Sequence, residues 1–239
     1  MTINAVTANA IANPSKTAKG STDYDIAVVL HQMFKDEYVC ADVKAGSWYR
    51  FYRHRWIEVD CGSTLRKSIS NDLRQLYEDK ATQLNHYLST LEPEEDQYKN
   101  VKARIDIVIR IIQRLGQTSD KKNIMQEARD LFEDTEFHNR LDSDPYLLGC
   151  KNGVIDFKEK TFRKGRPEDY ITKCTNVDYY PLTHCKHTKV IPQLEDFMEK
   201  LFVKTELREY MWNHLAAVLI GMPSLNQALY NYIGIGQNG

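Results

Sequence analysis

The sequence predicts an α+β protein with a central helical bundle and small antiparallel β regions, ending at the first strand of a P-loop ATPase domain. Three observations support this fold class. Apolar residues recur at helical spacing between residues 63 and 134. Aromatic and β-branched runs of strand length flank that region, near 39–59 and 145–179. A strand followed by glycines, typical of a phosphate-binding loop, occupies residues 228–239.

Composition limits the class of protein. Of 239 residues, 42% are hydrophobic and 27% are charged, as in globular proteins with a buried core. The formal net charge is −1, so any nucleic-acid site must come from local clustering of charge. No apolar run approaches the ~20 residues that span a bilayer, and the N-terminus lacks the order of a signal peptide. Five scattered cysteines favour a reducing, intracellular setting, and we expect no membrane partner.

The N-terminal part predicts an arm, a helix and three strands. Residues 1–22 contain no acidic residue and little to bury, which predicts a disordered arm or linker. Apolar residues at helical spacing predict a helix over 23–37. The pattern then changes to strands at 39–43, 48–52 and 55–59, and the last two should form a hairpin that turns at an Arg-His pair.

Three long helices should follow. The first is predicted over 63–91 with Ser63 as N-cap, the second over 94–115, and the third over 122–134. Short connections between long helices favour antiparallel neighbours. The middle of the chain is therefore predicted to be a helical bundle.

In the last third of the chain, the sequence pattern predicts short strands followed by two helices. An Asn-Gly pair at 152–153 is a turn signal flanked by apolar residues, and 161–163 can pair back onto that hairpin. A further strand is predicted over 174–179. Of the two amphipathic helices, the first has Pro192 near its start and the second covers 206–220.

Aromatic and basic residues alternate over 48–56, a combination that can stack bases and hold phosphates. A half-buried hairpin requires the same alternation, with aromatic pairs on the core face and arginines in water, so both interpretations stay open. The middle helix of the bundle is also basic, although Asp106 could form a surface ladder with its neighbours. We predict weak, salt-sensitive DNA binding by Arg50, Arg53, Arg55, Arg110 and Arg114.

Two groups of side chains could hold a metal. Asp142 and Asp144 form an acidic pair of the kind used in nucleotidyl transfer, but they precede Pro145 in a loop, where turn formation explains them better. The second group has a spacing that matches no standard zinc finger. It comprises Cys174, His184, Cys185 and His187. We therefore predict no structural metal and no catalytic residue in this chain.

The last six residues place glycines at both ends of a G-x-x-x-x-G pattern. The candidate nucleotide-binding residues are Gly234, Gly236, Asn238 and Gly239. Backbone N–H groups of such a loop turn toward an anion, although an ordinary turn would contain the same glycines. We interpret the pattern as an incomplete Walker A loop whose Lys and hydroxyl residues follow residue 239. We thus expect no cofactor in this chain, and ATP with Mg²⁺ in the longer protein.

Several of these stretches together resemble one known family. Residues 48–56 are similar to the aromatic and basic start of a helicase-associated domain, and 147–156 with 166–173 are similar to its central signature. Residues 210–221, followed by 234–239, resemble its junction with a superfamily 3 helicase. The family is the primase–helicase of poxviruses, other large DNA viruses, phages and plasmids. The resemblance covers the chain after its N-terminal arm.

The resemblance implies an arm at 1–22, a middle or collar domain at 23–225, and the start of a superfamily 3 ATPase domain at 226–239. It implies three partners: DNA, an upstream primase domain, and further subunits of a hexameric ring. The expected role is to support assembly and guide DNA beside an ATP-driven helicase, in the host cytoplasm or at a site of viral replication. Two alternatives stay open. One is a primase that uses Asp142 and Asp144, and the other is an oligomerisation module without DNA contact.

Overall fold

The computed structural model describes residues 21–184 and 189–221. Contacts divide the chain into two compact units, the first running to Leu141 and the second from Asp142 onward, with the turn Arg53–Arg55 grouped with the second. The predicted α+β class is confirmed by a helical bundle and two small antiparallel three-stranded sheets. The predicted start of an ATPase domain lies outside the described residues.

The first unit begins with helix α1, Asp23–Phe34. A capping box starts it: the Thr22 hydroxyl accepts the Asp25 N–H at 3.0 Å, and the Asp25 carboxylate accepts the Thr22 N–H at 2.9 Å. A sheet of order β1-β2-β3 follows, as the alternating pattern predicted. Its strands are β1 (Tyr38–Asp42), β2 (Ser47–Tyr52) and β3 (Arg55–Val59).

The predicted bundle is present, with two differences in its first helix. That helix consists of α2 (Ser63–Ser68), a π-helical turn (Ile69–Leu73) and α3 (Arg74–Leu88). The predicted cap Ser63 is wrong, because Gly62, with φ +62°, occupies the cap position and no side chain caps the helix. The periodicity did not predict the π-turn, because apolar residues spaced four apart also fit one face of a regular α-helix.

The remaining bundle helices are α4 (Asp96–Gly116), α5 (Thr118–Leu131) and the short α6 (Phe137–Arg140). Helix α5 starts four residues before the predicted position, because only Gln117, with an extended ψ of 135°, separates it from α4. Helix α6 was not predicted, since four residues are too few to show a helical period.

One apolar cluster joins these elements. Fully buried side chains come from α1, from the sheet and from each long helix of the bundle, which explains why their stripes follow helical and strand periods. Trp48 of β2 packs edge-on against Phe132, with 5.4 Å between the ring centres. The sheet is therefore anchored to the bundle by an aromatic contact.

The second unit contains the sheet β4 (Leu147–Cys150), β5 (Gly153–Asp156) and β6 (Thr161–Arg163). Its antiparallel register pairs Leu148 with Ile155 and Ile155 with Phe162, as the Asn-Gly turn predicted. Arg163 binds both Asp156, at 3.2 Å, and Asp169, at 2.8 Å. Because both carboxylates are nearly buried, this triad ties β5 and β6 to the following 3₁₀ turn.

The predicted strand over 174–179 is wrong. This segment lies beside β4 and the turn that follows it, and two backbone hydrogen bonds link them: Thr175 N–H donates to the Gly149 carbonyl, and Lys151 N–H donates to the Val177 carbonyl. Asn176 has φ +59°, which interrupts the extended conformation. The β-branched residues of the segment predicted a strand, but this left-handed residue prevents a regular ladder.

Two helices complete the described part of the second unit: α7 (Val190–Leu201) and α8 (Thr205–Val218). Only Met198 of α7 and Met211 of α8 are buried. Four apolar side chains on one face of α7 are 45–56% exposed: Val190, Leu194, Phe197 and Leu201. These four residues are called the α7 stripe below.

Candidate nucleic-acid interface

The three hairpin arginines have different surroundings. Arg50, on β2, pairs with Glu37 at 3.7 Å, and its guanidinium lies 5.4 Å from the ring centre of Tyr38 and 5.5 Å from that of Tyr52. Arg53 is exposed in the hairpin turn with φ +60°, and Arg55 begins β3. Arg50 is thus partly occupied by protein contacts, and Arg53 is the most exposed of the three.

The aromatic residues of the hairpin mostly face the core. Trp48 and Trp56 are 0% and 3% exposed, and Trp56 packs against Phe51 and Phe137 with ring centres 5.5 Å and 5.0 Å apart. Rings buried in this way cannot stack on bases. The alternation at 48–56 is therefore explained by a half-buried hairpin, and Tyr52, 46% exposed, is the most exposed aromatic ring of the hairpin.

Arg110 and Arg114 lie one turn apart on α4, and the structure separates their roles. Arg110 is exposed, as a DNA contact requires. Arg114 is buried and donates to the Ser21 carbonyl at 2.5 Å, to Asp23, and to Asp120 at 3.1 Å. These bonds tie the start of α1 to the junction of α4 and α5, so Arg114 has a structural role and its predicted DNA contact has no support in the geometry.

Asp142 and Asp144, the acidic pair of the primase alternative, form hydrogen bonds and an ion pair within their loop region. Asp142 accepts the Thr172 N–H at 2.8 Å, the Thr172 hydroxyl, and the Lys173 N–H at 3.3 Å. Asp144 accepts the Tyr146 N–H at 3.0 Å and pairs with Lys158 at 2.9 Å. Burial pushes the pKa of Asp144 up, but these two contacts outweigh it and lower the pKa. The pair forms turns, as expected for its position before Pro145.

The other predicted sites can be followed only in part. Among residues 21–184 and 189–221, no three His, Cys, Asp or Glu side chains come together as a metal site. Cys174 and His184 lie within this range, whereas Cys185 and His187 do not. Gly234, Gly236, Asn238 and Gly239 also lie outside the described residues, so the Walker A interpretation stays a prediction. No helix in the described ranges is long and apolar enough to span a membrane.

Sequence reasoning missed a basic cleft in the first unit, where α2 and the π-turn meet the start of α5. Arg66, Lys67 and Lys121 contribute its positive charge. Lys121 was part of the basic run at the end of the middle helix, but the Arg66-Lys67 pair stands alone between apolar positions. The only sequence signal was that both cations fall on the polar face of the predicted helix.

Comparison with protein families identifies a family that covers most of this chain. Residues 27–203 match the family described as D5 N terminal like. The matched range begins in α1, contains the bundle and both sheets, and extends past α7. The matched range therefore includes the hairpin, the basic cleft and the Asp142–Asp144 loop.

Three viral proteins that bear the name "Putative helicase" align with this chain. L207/L206 of Acanthamoeba polyphaga mimivirus is 32% identical over 94% of this chain and 23% of its own length. The protein 022R of Frog virus 3 is 27% identical over 70% of this chain and 20% of its own length. The protein 121R of Invertebrate iridescent virus 3 is 25% identical over 92% of this chain and 25% of its own length. The chain thus spans a quarter or less of the length of these curated relatives.

Proposed function

This chain belongs to the D5 N terminal like family, and we propose that it is a non-catalytic domain of a viral primase–helicase that acts in DNA replication. In this proposal it supports assembly of the helicase and guides DNA beside an ATP-driven ring, at the site of viral replication in the host cell. The observation that carries the proposal is the alignment with proteins named as helicases over 94% of this chain and 23% of the relative.

The geometry of the described residues favours a supporting role over chemistry. Asp142 and Asp144, the residues that a primase would need, are committed to turn hydrogen bonds and an ion pair with Lys158. A nucleotidyl-transfer site requires carboxylates that are free to bind metal ions. ATP, Mg²⁺ and the residues that use them would then be supplied by the remainder of the longer protein.

Measurement of phosphate release tests whether ATP hydrolysis requires the longer protein. The 239-residue chain should not hydrolyse ATP, whereas a longer protein that includes the complete ATPase domain should, with other subunits of the ring. Replacing the residue that follows Gly239 with Ala in the longer protein should abolish turnover and leave the fold of residues 24–220 intact. Turnover by the 239-residue chain at a rate like that of the longer protein would overturn the proposal.

The DNA-guiding part is tested by salt titration. Changing Arg50, Arg53 and Arg55 together to Ala should flatten the dependence of DNA affinity on salt, because each lost phosphate contact reduces the slope by about 0.9 for duplex DNA. We expect most of the change from Arg53, since its side chain is the most exposed of the three. An unchanged slope would show that these arginines only cover the outer face of the hairpin.

A further inference from the structure

The basic cleft of the first unit has a volume of about 460 Å³ and is open to solvent. Six of its lining residues carry the argument: Asp60, Arg66, Lys67, Ser70, Asn71 and Lys121. Five of these six can donate hydrogen bonds to an anion, and three of the five are cations. The surface thus has the composition of an anion site.

Local structure explains why the donors face the same way. Arg66 and Ser70 are four residues apart, as are Lys67 and Asn71, so on a helix each pair lies on one face. The opposite face carries Leu65, Ile69 and Leu73, all fully buried. Burial of this apolar face therefore holds the four polar side chains toward solvent.

Lys121 reaches the same cleft from a different element. Its Nζ donates to Ser70 Oγ at 2.9 Å, and Ser70 Oγ donates to the Leu115 carbonyl at 3.3 Å. This short chain of hydrogen bonds fixes the ammonium group at the mouth of the cleft, 51 residues along the sequence from Ser70. Binding an anion through a side chain that is already held in place loses less conformational entropy than binding through a freely rotating one.

The described part of the chain supplies no ion-pair partner to the cations of the cleft. None of Arg66, Lys67 and Lys121 forms an ion pair with any residue in 21–184 or 189–221. The lining carboxylate, Asp60, accepts a hydrogen bond from the Cys61 thiol, which raises the pKa of that thiol. Three cations against one carboxylate leave a local excess of positive charge in a chain of net charge −1.

We propose that this cleft binds backbone phosphates of a nucleic-acid strand. No aromatic side chain lines it, so it has no surface on which a base could stack, and recognition would be limited to phosphate. An open site that contacts phosphates and no bases can bind a nucleic-acid strand of any sequence, because the phosphates repeat along the strand. The inference rests on the proposed DNA-guiding role and places part of that role at Arg66, Lys67 and Lys121.

Salt titration of the 239-residue chain with a labelled oligo-dT strand tests the cleft. Arg66→Ala with Lys67→Ala should flatten the slope of log affinity against log salt by about 1.4, the value for two contacts on a single strand. Lys121→Met should flatten it by about 0.7. The matched control is Lys35→Ala with Lys44→Ala, which removes the same charge from exposed positions of the same unit outside the cleft. Circular dichroism checks that each variant is folded.

The outcomes separate this inference from the proposed function. A change confined to the cleft variants supports the site, whereas an equal change in the control overturns it, since only net charge would then matter. Tight binding that is weakened by the hairpin variant alone overturns the cleft and leaves the DNA-guiding role standing. If pyrophosphate shifts the Ser70 and Asn71 amide resonances while oligo-dT does not bind, the ligand is a small phosphate, and both the nucleic-acid inference and the DNA-guiding role fail.

Discussion

Arg110 and Arg114 show how two residues one turn apart on α4 can have unrelated roles. Replacing Arg114 with Met should lower the free energy of unfolding by about 2–4 kcal/mol, because it leaves Asp23 and Asp120 without their shared partner. Urea denaturation followed by circular dichroism measures this loss. Arg110→Ala is the control and should change stability by less than about 0.5 kcal/mol, since Arg110 is exposed. Equal effects would show that the Arg114 ion pairs do not stabilise the fold.

We predict that the stability contributed by the ionised Asp156 carboxylate is lost at acidic pH. The Glu159 N–H is the main cause that lowers its pKa, and the Arg163 guanidinium lowers it further against the effect of burial. A carboxyl with a lowered folded pKa contributes stability that is complete above its unfolded pKa of about 3.9 and is lost as pH falls through the folded pKa. Asp156→Asn should therefore flatten the fall in unfolding free energy below pH 4. A pH profile as steep as that of the wild type would contradict this assignment.

The start of α2 depends on a glycine. Gly62 has φ +62°, and a Cβ at this position would lie 2.9 Å from Met125 Cε and 3.2 Å from the Trp48 ring. Gly62→Ala should destabilise the protein by at least about 1–2 kcal/mol, since left-handed strain and crowding act together. Thermal unfolding compares it with Gly116→Ala in α4, where the nearest atom is the tip of Arg74 at 3.8 Å and the φ angle is not left-handed. Gly116→Ala should be neutral or stabilising, and the reverse order would disprove the packing argument.

Elements with a sustained period could be predicted from the sequence, and interruptions of those elements could not. The strands at 55–59 and 161–163 are confirmed to the residue, because alternation and turn residues agree there. The π-turn, the cap at Gly62 and the break at Asn176 each depend on a backbone angle at one or a few residues. Such angles are set by tertiary packing, which leaves little trace in local composition.

At the scale of the whole molecule, the α7 stripe is a departure from ordinary burial among the described residues, and α8 likewise exposes large apolar side chains. Monomers rarely leave several large apolar side chains open on one helical face, so we expect protein to cover the stripe in the assembly proposed for the longer protein. Phe197→Asp with Leu201→Asp should shift that longer protein toward monomer in light scattering coupled to size exclusion. Gln193→Asp with Glu199→Gln changes exposed polar positions of the same helix and should leave the assembly unchanged. Loss of assembly in the control alone would contradict a role for the stripe.

The candidate sites were predictable only where their residues are close in sequence. The hairpin arginines fall within six residues and could be proposed from the sequence, where they stay a prediction, although their aromatic neighbours are explained by core packing. Arg66 and Lys121 come from different helices and meet only because α2 and α5 pack in one bundle. The contacts of Arg114 left no local signal for the same reason, since its partners Asp23 and Ser21 lie about ninety residues away.

The π-turn at Ile69–Leu73 implies a constraint on how this region can change length. A π-turn is equivalent to one residue inserted into an α-helix, so deletion of a single residue there would restore a regular helix instead of breaking it. The wide turn absorbs the extra residue locally, so α2 and α3 would keep the faces that they present in this structure after the deletion. Homologues that are one residue shorter at this position should therefore have a regular helix, with Leu65 still in the core and Arg66 and Lys67 still at the cleft.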